Sequence, residues 1–309
     1  MTTFLTAIGT KLAERWVNFL LLPGLLWTGL LAAALHLGQH RPFAVGRLSD
    51  WLNQLAASPA AHAAGTVILA TAATLLTATG VGLLCGAIGG AIERLWAASV
   101  DLPSAAWFLR RRQRRWDTAT RELKSAILQA AAPQRHHVAP AKAASRVRSW
   151  QRRRARLGPA RPSCPTWIGD RFERTAVRLA EVNGIDDAAA AWPRLWAVLP
   201  DGLRNDIAAA RNAYAAVSRL AAWGLLYTAL GAAWWPALLI GLALLATAAQ
   251  RAPGTADVLA FMIETAADLH LNDLASQLAV PATATAAGTG QAISAHLRLA
   301  GAPVPRQLP

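Results

Sequence analysis

Residues 110–115 read Arg-Arg-Arg-Gln-Arg-Arg, and a second cluster, Arg152-Arg153-Arg154, follows within the same segment. From 101 to 161 these are joined by Arg146, Arg148, Arg156 and Arg161, against only Asp101, Asp117 and Glu122. A segment that cationic stays on the side of a membrane where it is synthesised. On either side of it lie apolar runs long enough to enter a bilayer. The arrangement predicts an all-α, polytopic membrane protein with about four transmembrane helices, in two hairpins separated by a basic cytoplasmic insert.

Composition supports that frame. Of 309 residues 54% are hydrophobic and only 16% charged, too apolar for an ordinary soluble domain, and the excess is gathered in blocks. Alanine-rich runs without ten-residue alternation favour helices over barrel strands. The two cysteines, Cys85 in an apolar run and Cys164 in the basic insert, predict neither a disulfide nor a metal site. The formal net charge of +14 is explained more directly by membrane orientation and contact with anionic lipid headgroups than by nucleic acid. Arg110, Arg111, Arg112, Arg114, Arg115, Arg152, Arg153 and Arg154 are therefore assigned to lipid or partner contact.

Upstream, residues 1–100 form the first expected hairpin. Trp16 opens an uncharged run to Leu37, which is longer than a signal-peptide core and carries Pro23-Gly24 as a kink tolerated in a packed span. In the connection at 38–61, Leu48, Trp51, Leu52 and Leu55 share one helical face, suited to an interfacial helix or to packing on the span ends. The second span covers 65–92, with Gly82, Gly86 and Gly90 four residues apart. This glycine face admits a close neighbour, either the first span or the same span of another subunit. Thr71, Thr74 and Thr77 either line a wet surface or bond back to their own helix.

Within the insert, 101–168, a helix-like stretch at 107–132 precedes a segment at 133–165 with too few large apolar residues to order itself. A cytoplasmic helical region follows at 169–217. Asp170-Arg171-Phe172-Glu173 has capping-box form, Asn183-Gly184 is a helix stop, and Pro200-Asp201 is a new start. Leu203, Ile207, Ala210, Tyr214 and Val217 then step by four and three, a stalk with coiled-coil spacing. The second hairpin, 218–251, turns at Trp234-Trp235-Pro236. Its short arms leave open a re-entrant loop that never crosses. Past a break at Arg251-Ala252-Pro253-Gly254, residues 252–280 predict an acidic amphipathic helix able to dock on the basic insert, and 281–309 predict a disordered tail.

Trp192-Pro193-Arg194-Leu195-Trp196, Leu199-Pro200, Arg204, Ala210-Arg211, Trp223, Leu226-Tyr227, Trp234-Trp235-Pro236 and Asp268-Leu269-His270 resemble a family of multi-span membrane proteins of high-GC actinobacteria, over residues 169–278. The family has no established activity, so the resemblance implies a bacterial inner-membrane location and transfers no site residues. Trp192, Arg194 and Trp196 read as an elbow between helices at the membrane surface, or as a docking point for a partner.

Signatures of chemistry are few. The chain contains no HExxH, GxSxG, P-loop or CxxC pattern, and its histidines are scattered. The expected span cores lack Asp, Glu, Lys and Arg, unlike proton-coupled carriers. These features predict a non-enzymatic protein without a cofactor: an oligomeric channel or membrane-acting effector, with both termini and the insert cytoplasmic. The alternative is a membrane scaffold that recruits a soluble cytoplasmic partner. Homo-oligomerisation is expected through the glycine face and the stalk.

Overall fold

The computed structural model describes residues 21–39, 42–59, 63–97, 103–131 and 140–301, and all regular structure among them is helical. The chain divides into two compact units, one made of Met1–Glu93 with Ala215–Ala252 and the other of Arg94–Tyr214 with Pro253–Pro309.

The first unit contains α1 (Leu22–Leu37), α2 (Val45–Ala57) and, as far as Glu93, α3 (Ala64–Ala97), whose last residues belong to the second. It also holds the end of α8 (Asp201–Leu230) and the start of α9 (Trp235–Gln277). Small residues set its packing. Gly24 of α1 lies so close to the Ala78 backbone that a Cβ there would collide with the carbonyl, and Gly89 of α3 sits against Arg219. Near the α8–α9 turn, Ala34, Tyr227, Leu230 and Ala237 form a core covered by Trp27, Leu30, Trp223 and Trp234. The turn occupies 231–234, so that of the predicted Trp234-Trp235-Pro236 only Trp234 belongs to it, while Trp235 and Pro236 already open α9. Gln39 of the α1–α2 connection clasps it, its Nε2 donating to Gly231 O at 3.0 Å and Ala232 O at 2.6 Å while its Oε1 accepts from Trp235 N at 3.1 Å. Trp234 Nε1 donates to Pro42 O at 3.0 Å.

Among the described residues two helices, α3 and α9, are long and apolar enough to cross a bilayer, and α1 is a shorter apolar helix. The four-span expectation is therefore met only in part. After Arg219 the uncharged part of α8 runs only over 220–230 before the turn. At 1.5 Å per residue that is about 16 Å, against a hydrocarbon core of about 30 Å. The part of the first expected span before residue 21 lies outside the described residues.

The second unit holds α4 (Pro103–Ala131), α5 (Pro140–Leu157), α6 (Trp167–Glu181), α7 (Ala188–Val198) and α10 (Ala286–Gly301). The first part of α8 and the last part of α9 complete it. Three expectations change here. The segment 133–165 is not a linker where it is described, because α5 lies antiparallel to α4. Trp116 meets Arg154 at one end of the pair, and Gln129 meets Arg146 at the other. Buried Ala119 and Ala126 bring the helices close, so few large side chains are needed. The expected tail contains α10, whose Thr289 and Ile293 are fully buried. It packs through backbone: a Cβ on Gly290 would strike Asn183 O, and Gly184 lies against Ala287 O. Lastly, α9 runs through Pro253 without the predicted break.

One boundary shifts as well. Thr166, not Asp170, caps α6, its hydroxyl accepting from Gly169 N at 2.8 Å. Gly184, at φ 69°, follows the end of α6 as expected, and Ile185 N donates back to Leu179 O at 2.9 Å.

Candidate functional site

The predicted glycine face divides. The buried stripe of α3 is Ala78, Gly82, Cys85 and Gly89, whereas Gly86 is exposed and Gly86 and Gly90 both meet open space. Close contact inside the chain therefore uses Gly82 and Gly89 rather than the 82/86/90 row. Helical geometry explains the offset, since steps of four and three hold one face while repeated steps of four drift around it. Thr71, Thr74 and Thr77 each donate to the carbonyl four residues back at 2.8 Å.

The stalk face is filled from within the chain. Ile207, Ala210, Tyr214 and Val217 are buried and Leu203 is half-buried. The Tyr214 ring lies 5.9 Å from Phe172 and 6.1 Å from Trp96, centroid to centroid. The periodicity marks a core seam that is buried within one chain.

The eight arginines fall into two groups. Arg112 and Arg154 build structure. Arg112 Nη2 pairs with Asp170 at 2.8 Å, and the other oxygen of that carboxylate accepts from Ser163 N and Cys164 N. Arg154 lies over the Trp116 ring at 4.6 Å and donates to Gly158 O and Pro159 O. By contrast, Arg111, Arg114, Arg115 and Arg153 line an α4–α5 cleft of about 620 Å³ with Trp150. Arg110 borders a neighbouring hollow with Trp107, and Arg152 is exposed on α5.

Trp192-Pro193-Arg194-Leu195-Trp196 lies inside α7, not at an elbow. Leu195 is buried, and Trp192 borders an apolar hollow of about 340 Å³ with Leu179, Ile185 and Ile263. Arg194 folds back to donate to Ala190 O at 2.7 Å.

The acidic face of α9 docks on α6 rather than on the basic insert. Arg171 bridges Asp257 and Glu264, both at 2.6 Å, and Arg178 meets Asp268 at 2.9 Å. Thr175 donates to Glu264 at 2.8 Å. Burial alone would raise the Glu264 carboxyl, but hydrogen bonds from Arg171 and Thr175 outweigh it and hold the group below the usual carboxylate range. Sequence reasoning missed this ionic seam. Its signal was present in the acidic positions of 257–268 and the Arg171/Arg178 spacing of two helical turns.

No cluster of His, Cys, Asp and Glu suited to a metal ion occurs among the described residues. Both cysteines are buried and unpaired. No protein-family model, curated protein or solved structure matches the chain.

Proposed function

We propose that the protein is a non-enzymatic integral membrane scaffold of a bacterial inner membrane, with α3 as its principal membrane anchor. One observation carries the membrane part of this reading. Along α3, Ile68, Leu69, Leu76 and Leu83 are each at least 60% exposed, although the helix is uncharged from Ala64 to Ile92. A water-soluble chain buries such a helix, whereas a bilayer solvates it. In the same proposal α8 and α9 form a re-entrant or thinly spanning hairpin, and the basic insert lies on the cytoplasmic side. The scaffold reading is preferred to a pore because the stalk seam is occupied inside one chain. The likeness to actinobacterial multi-span proteins over 169–278 is part of this proposal and adds only the location.

A homo-oligomeric channel is the second reading, favoured by Gly86 and Gly90, which leave one face of α3 open to another copy. Ion flux into liposomes, combined with mass photometry in nanodiscs, separates the two. The scaffold predicts monomers without flux. Flux and oligomers that both disappear in Gly86→Leu would establish the channel instead.

A further inference from the structure

We propose that the α4–α5 cleft is a binding site for the phosphorylated headgroup of an anionic phospholipid, with Arg111 and Arg114 as its principal contacts; this rests on the membrane reading above. Four guanidinium groups, Arg111, Arg114, Arg115 and Arg153, line one cleft of about 620 Å³. Among the described residues none of the four is ion-paired with a carboxylate, although Asp117 and Glu122 lie on the helix that carries Arg111, Arg114 and Arg115. Arg161 takes Asp117 at 3.2 Å, so the nearest acid in sequence is already engaged outside the cleft. Like charges gathered this way repel unless an anion is held among them, and guanidinium groups match phosphate oxygens in geometry as well as charge.

Aromatic side chains point to a lipid as the source of the phosphate. Arg111 and Arg114 also border a hollow with Trp107, whose ring lies 5.5 Å below the Arg111 guanidinium. Trp107 and its neighbour Phe108 are each 53% exposed, an arrangement without purpose for a soluble phosphate but suited to headgroup depth, where amphipathic rings and cationic side chains collect. On the cleft side Trp150 supplies an apolar wall, with the Arg153 guanidinium 4.9 Å from its ring.

Full-length protein in detergent micelles is titrated with cardiolipin, phosphatidylcholine and inorganic pyrophosphate, and bound ligand is counted by native mass spectrometry. The wild type should bind cardiolipin in preference to phosphatidylcholine. Arg111→Gln/Arg114→Gln should weaken that binding about tenfold, as loss of two charge-assisted contacts implies. Arg115→Gln/Arg153→Gln should weaken it as well, whereas Arg121→Gln, on the same helix outside the cleft, should not. Circular dichroism melts confirm that each variant is folded. Unchanged cardiolipin binding in both double variants overturns the site. Pyrophosphate binding more tightly than cardiolipin overturns the lipid assignment. Alkaline carbonate extraction is scored in parallel: a protein that stays in the pellet yet ignores cardiolipin loses only the headgroup site, whereas release from the pellet defeats the membrane reading itself.

Discussion

Glu264 shows how a single residue ties two helices of the second unit together. Its side chain and that of Arg171 are each only 13% exposed, and Thr175 adds a third partner. Because its folded-state pKa is depressed, its contribution is fully present above the unfolded value of about 4.3 and is lost as pH falls through the lower folded value. Thermal melts across acidic pH should show a stability loss that Glu264→Gln largely removes, starting from a variant weaker by about 1.5–3 kcal/mol at neutral pH. Equal acid sensitivity in both proteins would place the loss elsewhere. Cys164 makes a second residue-scale prediction. Burial pushes its thiol up, and it lies 5% exposed beside Asp170. A maleimide should label it slowly until the protein unfolds, from whichever side the reagent arrives, so membrane topology needs introduced cysteines. Rapid labelling of native protein would contradict that burial.

At the scale of elements, the two glycine positions of α3 should respond in opposite ways. Gly86 meets open space, so Gly86→Leu should leave the isolated chain's melting temperature unchanged. At Gly89 a Cβ would sit 3.3–3.5 Å from Arg219, including its backbone, and Gly89→Leu should cost about 1–3 kcal/mol through overpacking. The reverse ranking in detergent melts would show that the 82/86/90 face is the packed one. Deleting 140–157 tests the α4–α5 pair: exposing Ala119 and Ala126 and removing the Trp116–Arg154 contact should lower the melting temperature and open α4 to proteolysis. An unchanged melt and digestion pattern would mean that α5 contributes nothing to order.

These elements also show what a linear reading captures. Turn and stop chemistry was legible because it is local: the chain reverses at 231–234, beside the Trp234-Trp235-Pro236 signal, and Gly184 takes φ 69° after α6. The stalk periodicity was legible as a buried face, but periodicity carries no information about which partner buries it. Both α5 and α10 escaped because alanine, glycine and threonine pack by backbone proximity, which hydrophobicity does not register. Among the arginines, composition gave the total charge. Only the fold separates Arg112, held by Asp170, from Arg111 and Arg114, which line the cleft.

For the whole molecule, the central claim is that α3 crosses a membrane and that the segment bearing the arginines lies on the cytoplasmic side. The 29 uncharged residues from Ala64 to Ile92 rise about 43 Å as a helix, enough to cross a core of about 30 Å with tilt. The proposed direction rests on charge asymmetry: the clusters at 110–115 and 152–154 follow the helix, whereas Arg41 and Arg47 are the only Lys or Arg between 38 and 63. The direct measurement uses single cysteines introduced as Ser58→Cys and Ser125→Cys, in a chain carrying Cys85→Ala and Cys164→Ala, expressed in bacterial cells whose outer membrane has been permeabilised. An impermeant maleimide should label position 58 in intact cells and position 125 only after lysis. Labelling of both before lysis, or of neither, would contradict the account.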